Sequence, residues 1–170
     1  MRALHFDFPL VAVSLTARSF GVICLDHRLQ LREACSKSLK RFRVRHAKIA
    51  FANKSVRALV TRMGAVAIAL EERPGITNAA AMTKVLERAL KGIPVGQVTF
   101  RAACTRIVGV PSAALTAKVL ADRYDVLARE LVDGPRGPFG TAQRYSQVRP
   151  LLGAIAIGHA IALDALLRRG

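Results

Sequence analysis

The chain has 170 residues, a net charge of +16 at pH 7 and a hydrophobic fraction of 52%. That length points to one domain over residues 1–170, able to bury a sizeable core without disulfides or a structural metal. Such a charge costs stability through self-repulsion unless something acidic answers it. It points to a phosphate-bearing partner, nucleic acid first, and leaves an anionic membrane surface or mere solubility as lesser readings. Aromatic residues make up only 5% and Trp is absent, so stacking platforms for single strands are not an obvious feature.

Cys24, Cys35 and Cys104 are an odd number, with no C-x-x-C pair and no His at metal spacing. They fit reduced thiols and a cytoplasmic protein. No secretory signal is evident, because His5 and Asp7 interrupt the start. The longest apolar stretch, 151–167, contains His159 and Asp164. It is short for a membrane span and is expected to be a buried helix, so no membrane partner is expected.

Residues 8–15 and 20–25 are apolar and read as buried strands. The short turn Thr16-Ala-Arg-Ser makes them an antiparallel hairpin. Leu29, Leu31 and Ala34 alternate with polar residues and suggest a third strand. Arg41, Arg43 and Arg45 alternate with Phe42 and Val44. An extended segment would set the arginines on one face, and a solvated loop is the alternative. Residues 47–63 read as a helix with a stripe of Ala52, Val56, Leu59, Val60 and Met63, ended by Gly64. Residues 65–70 read as a buried strand closed by a charged loop. Thr77 is expected to cap a helix that ends at Gly92. Residues 95–100 form a further strand. Pro111 is expected to open a helix with Leu120, Tyr124, Leu127 and Leu131 on its buried stripe. Residues 133–140 read as a flexible loop, and a final helical region over 142–169 is expected to break near Pro150. Three sequential strands followed by alternating helices and strands argue for an α/β domain with a mixed sheet.

This order resembles the ribonuclease H-like fold, in its RuvC/YqgF branch. Val11-Ala-Val-Ser-Leu-Thr-Ala-Arg-Ser-Phe-Gly21 is similar to an opening of the type apolar-apolar-Asp-x-Gly-x-Arg-x-x-Gly. Ala65-Val-Ala-Ile-Ala-Leu-Glu71 is similar to the central strand that ends in a catalytic Glu. Cys104-Thr-Arg-Ile-Val-Gly109, with Lys118 downstream, looks like the lysine-bearing helix region after the fifth strand. Leu163-Asp164-Ala165-Leu166 is similar to the Asp-Ala-Leu of the last helix. The resemblance implies three antiparallel strands followed by alternating helices and parallel strands. It also implies a metal-dependent endonuclease or Holliday junction resolvase chemistry.

Such chemistry uses two Mg²⁺ ions, one to activate water and one to stabilise the leaving oxygen. Hard Mg²⁺ wants converging carboxylates. The resemblance supplies Glu71, with Glu72 as a secondary candidate, and Asp164 as ligands, and Lys118 as a secondary site residue. It puts Ser14, a poor bridging ligand, where the family carries Asp. One turn before Asp164 lies Ile161, where the family carries an acid. His159 is five residues from Asp164, roughly 140° around the helix. Asp7 or Asp26 would join the site only in a different register. Each residue has a structural alternative. Ser14 is then a buried strand hydroxyl, Glu71 and Glu72 are partners for arginines, Asp164 pairs with an Arg or with Ser14, and His159 is a packed core histidine.

Between Arg28 and Arg62 lie eleven Lys and Arg and one acid, Glu33, so this segment carries +10 of the +16. Arg18, Lys37, Lys40, Arg41, Arg43, Arg45, Lys48 and Arg57 are the expected phosphate contacts, which give affinity and salt dependence but not sequence readout. A basic face for an acidic protein is the alternative. The expected function is binding of DNA or structured RNA by a RuvC-like pseudonuclease or assembly factor with an eroded two-metal site, with a second copy of the chain, as a homodimer, among the expected partners. The rivals are an active Mg²⁺-dependent endonuclease and a non-enzymatic, ribosome-associated ribonucleoprotein component.

Overall fold

A computed structural model describes residues 8–131 and 137–168. Five strands form one mixed sheet in the order β3-β2-β1-β4-β5. Strand β1 (Leu10–Leu15) pairs antiparallel with β2 (Ser19–Leu25), which pairs antiparallel with β3 (Leu31–Ser38). Strands β4 (Ala67–Glu72) and β5 (Val95–Thr99) run parallel to β1. Among the described residues six helices complete the order: α1 (Arg45–Met63), α2 (Asn78–Ala89), α3 (Phe100–Val108), α4 (Ala113–Ala121), α5 (Asp125–Ala128) and α6 (Ala142–Leu167). The expected mixed α/β architecture of the ribonuclease H-like type is the one found.

Strands β1 and β2 are buried on both faces, which explains their continuous apolar runs. Alternation sorts their side chains. Leu10, Ala12, Ala67 and Ala69 face a core built with α3 to α6, while Val11, Val13, Leu15, Ile68 and Leu70 face one built with α1 and α2. The same period puts Ser14 and Glu71 on the α6 face. The β1–β4 register pairs Val13 with Leu70, so one further step sets Ser14 beside Glu71.

Several expectations are corrected. For the segment bearing Arg41, Arg43 and Arg45 the solvated loop, not the extended reading, is the one found; it turns after Leu39, with Phe42 N–H donating to the Leu39 carbonyl, and runs into α1. The helix expected after Pro111 is two, α4 and α5, although Leu120, Tyr124 and Leu127 are all buried as expected. Helix α3 starts earlier than the helix region that the resemblance placed at 104–109: Thr99 Oγ1 accepts from Ala102 N–H and begins it where the strand was expected to continue. Thr77 does cap α2, and Gly64 ends α1 in the left-handed region at φ 60°. The N-terminal segment with Asp7 and most of the 133–140 loop lie outside the described residues.

Helix α6 does not break at Pro150. The carbonyl that Pro150 leaves without an N–H partner belongs to Ser146, an exposed residue. Pro150 is also where the helix meets the sheet, since a Cβ on Gly21 would overlap the Pro150 carbonyl. Farther along, a Cβ on Gly158 would stand 2.8 Å from Ala12 Cβ. Helix α6 is long and apolar enough to cross a membrane, but most of it is buried against β1 and β2, as the core-helix reading expects.

Candidate functional site

The carboxyl ends of β1, β4 and β5 meet at one end of the sheet, beneath the first turns of α6. Ser14 and Glu71 meet there, both fully or almost fully buried. Ser14 Oγ donates to Glu71 Oε2. The gap over the pair is filled by Arg149. Its Nη2 donates to Glu71 Oε1 (2.7 Å) and its Nη1 to Oε2 (3.2 Å), with Ser14 Oγ 3.4 Å from Nη1. This is a two-point clasp on a carboxylate, the strongest geometry an arginine offers. The guanidinium also lies on the Phe100 ring, its Cζ 3.7 Å from the centroid. Arg73 also reaches Glu71, its Nη2 3.2 Å from Oε1. Burial pulls the Arg73 pKa below its ordinary value, with Glu71 opposing.

Gly153 makes this possible. It lies four residues after Arg149, on the same helix face. A Cβ at Gly153 would overlap Arg149 Nη1 and Ser14 Oγ and stand 2.8 Å from Ser14 Cβ. Without that Cβ, the guanidinium can lie back over its own helix onto the strand ends.

The remaining expected site residues are not gathered here. Gly153 and Asp164 are eleven residues apart, roughly 16 Å along the helix axis. Asp164 pairs with Arg106 of α3 (2.8 Å), so its structural alternative is the one found. Glu72 is exposed and alternates to the other side of β4, and Lys118 is exposed on α4. Ile161 is buried in the core. His159 packs as a core histidine, its Nδ1 2.8 Å from the Tyr124 hydroxyl. Burial pushes its pKa down to about 4. Asp26 lies at the opposite end of β2, accepts from the amides of Arg28 and Gln30 and pairs with Arg32. All three cysteines are free, and burial pushes Cys24 up to about 11.

Sequence reasoning missed Arg149 and Gly153. A signal existed: Glu71 is an acid at the end of a buried strand and needs a cation, and Arg149 is a basic residue at the N-terminal border of the apolar run of α6.

The residues present do not fit a Mg²⁺ pair. Among the described residues no group of three His, Cys, Asp or Glu could hold a metal ion. The one buried carboxylate at the strand ends is bonded to two guanidinium groups, so the cluster carries a net positive charge where a divalent cation would need a negative one.

The basic residues divide into groups. Arg18 and Lys40 border a cleft of about 570 Å³ beside Arg149. Lys48 Nζ donates to the Ala17 carbonyl (2.8 Å) and holds the β1–β2 turn. Lys37 and Arg41 lie on an aromatic cluster: Arg41 Cζ is 4.8 Å from the Phe42 centroid and 4.5 Å from that of Phe51, and Lys37 Nζ is 5.6 Å from Phe51. Arg43 and Arg45 are exposed at the start of α1. Arg57 points away from the cleft, to the Ala89 carbonyl at the end of α2.

The sheet order, the helices on both faces and the site at the strand ends define a RuvC-like ribonuclease H fold. Comparison with solved structures agrees. The chain is similar to Thermus thermophilus RuvC (TM-score 0.64, 15% identity, 94% of this chain and 96% of that one). It is also similar to T. thermophilus RuvC in complex with a Holliday junction substrate (0.60, 14%, 95% of each chain). A third likeness is to the yeast mitochondrial Holliday junction resolvase Ydc2 (0.58, 8%, 98% of this chain and 88% of that one). No protein-family model and no curated protein matches the sequence.

Proposed function

We propose that the chain binds nucleic acid, DNA or structured RNA, through the basic face around the β1–β2 turn, the end of β3 and α1, and holds it without hydrolysing it. The observation that carries this is Arg149, whose guanidinium covers the hydrogen-bonded Ser14–Glu71 pair and takes up both Glu71 oxygens that a catalytic metal would need. Binding would rest on phosphate contacts, so it would be strongly salt-dependent and weakly sequence-dependent. The neighbours in fold include a RuvC bound to a junction, which makes branched DNA the first substrate to try. A two-fold junction would take two copies of the chain.

The test is fluorescence anisotropy with a labelled four-way junction, a duplex and a stem-loop RNA, together with gels that score cleavage in Mg²⁺ and Mn²⁺. Expected is binding that weakens about a thousandfold between 50 and 200 mM salt, for roughly six phosphate contacts, with every strand intact. Cleavage lost in Glu71→Ala would establish the active endonuclease instead. No binding at low salt would defeat both readings and leave a basic face for an acidic protein.

A further inference from the structure

We infer that the cleft beside Arg149 seats an unpaired, phosphate-bearing strand segment, and that the chain therefore prefers nucleic acid with an unpaired end over blunt duplex. This rests on the nucleic-acid reading above and names which part of the ligand enters.

The cleft lies between the β1–β2 turn, the end of β3 and the start of α6. Its volume, about 570 Å³, is within the range of small-ligand sites and suits a nucleotide or two. A paired duplex, with both backbones and a closed base stack, is too broad to enter. Among the described residues no carboxylate lines it, while Arg18, Lys40 and the edge of Arg149 do. The nearest buried acid, Glu71, is already clasped by Arg149 and Arg73. An anion thus meets cations without an acid to repel it.

The walls add chemistry for the rest of a nucleotide. Ser36 and Ser38 are exposed at the end of β3 and offer hydroxyls to phosphate or sugar oxygens. Tyr145 contributes an aromatic ring, braced edge-on by Phe139 at 4.8 Å between centroids. The end pair of a duplex also has a free face, but it is too broad for the cleft, so an unpaired base is the one that reaches this ring. The turn that carries Arg18 is preformed: Thr16 Oγ1 accepts from Ser19 N–H (3.0 Å) and donates to the Ser19 carbonyl (2.9 Å). No ordering of that turn is needed on binding.

The experiment measures anisotropy with a blunt duplex and with a slightly shorter duplex bearing a short single-stranded overhang, the total phosphate number held equal. The wild-type chain is expected to bind the overhang at least about tenfold tighter, the scale of one stacked base. Tyr145→Ala should abolish that preference and leave blunt-duplex affinity unchanged. Arg18→Ala with Lys40→Ala should weaken overhang binding and lower its salt slope by about two. Ser38→Trp, which fills the cleft, gives the same answer by obstruction, with circular dichroism confirming the fold. Arg43→Ala, outside the cleft, should weaken both ligands alike. Equal affinity of the wild-type chain for both ligands overturns the inference. So does a preference that survives both Tyr145→Ala and Ser38→Trp. Absence of binding to either ligand at low salt would instead overturn the nucleic-acid reading on which it rests.

Discussion

Replacing Arg149 by Met keeps most of the side-chain stem and removes the charge that faces Glu71. With the guanidinium in place Glu71 is 2% exposed, and Met supplies neither its charge nor its two hydrogen bonds. Breaking a buried pair by deleting one partner costs roughly 3–5 kcal/mol. Arg73 still reaches Glu71 at 3.2 Å, which favours the lower end, about 3 kcal/mol. At this chain length that is a fall in Tm of roughly 6–12 °C. Adding Glu71→Gln removes the uncompensated charge, and Gln keeps a group to accept from Ser14. The double variant should therefore be about 1–2 kcal/mol more stable than Arg149→Met alone. Urea denaturation of the wild type, both single variants and the double variant closes the cycle. If Arg149→Met costs under about 0.5 kcal/mol and the two changes simply add, Arg149 is a surface side chain and the argument for the occupied gap fails.

Three further outcomes follow from neighbouring contacts. Gly153→Ala should destabilise by about 1–3 kcal/mol and expel the guanidinium, seen as loss of the coupling between Arg149 and Glu71 in the same cycle. Gly21→Ala should cost about 3 kcal/mol, because its Cβ meets the Pro150 backbone rather than a movable side chain, and denaturant midpoints measure this. His159 has a folded pKa of about 4 against an ordinary 6.5, so the unfolded chain takes up its proton first as pH falls. Its contribution is full above about pH 6.5 and is lost through pH 4, roughly 2 kcal/mol at pH 5 and 3 at pH 4. His159→Gln should flatten stability over that window, and an unchanged slope would place the titration elsewhere.

How legible the site was depended on the element that carried each part. Ser14 and Glu71 were readable because strands have a fixed period and the parallel pairing of β1 with β4 leaves little freedom in their register. Helix α6 gave no such phase. Its residues from Val148 to Ala162 are buried save for a half-buried Arg149, so no stripe marks the side that faces the strand ends. The similarity of Leu163-Asp164-Ala165-Leu166 to a family motif then set the site about three turns too late. Pro150 strengthened the error by reading as a break, when it is the point of closest approach to Gly21. The start of helix α3 was hidden because Phe100 suits a strand, and only the Thr99 cap reveals it. The β3–α1 segment alternated like a strand, but exposure of Arg41, Arg43 and Arg45 needs no sheet.

The clasp on Glu71 also bears on how the fold is held. Converging carboxylates repel one another, and a fold that relies on them is stabilised by the cation they bind. Here the chain supplies its own cations, covalently attached and delivered by α6 and by the segment after β4. Binding of a divalent ion would have to displace Arg149 from Glu71, Ser14 and Phe100 together. Folding should therefore be indifferent to metal. Thermal unfolding of the purified chain should give the same Tm in excess EDTA and in 5–10 mM Mg²⁺ (about the usual assay range) once ionic strength is matched. A rise of more than about 2–4 °C with Mg²⁺, the shift expected for each 1 kcal/mol, would mean that the native state binds the ion. If Glu71→Gln removed that rise, the ion would be at the strand ends and Arg149 would have yielded to it. The proposal that nucleic acid is held uncut would then fall with the indifference to metal, because both rest on the same guanidinium.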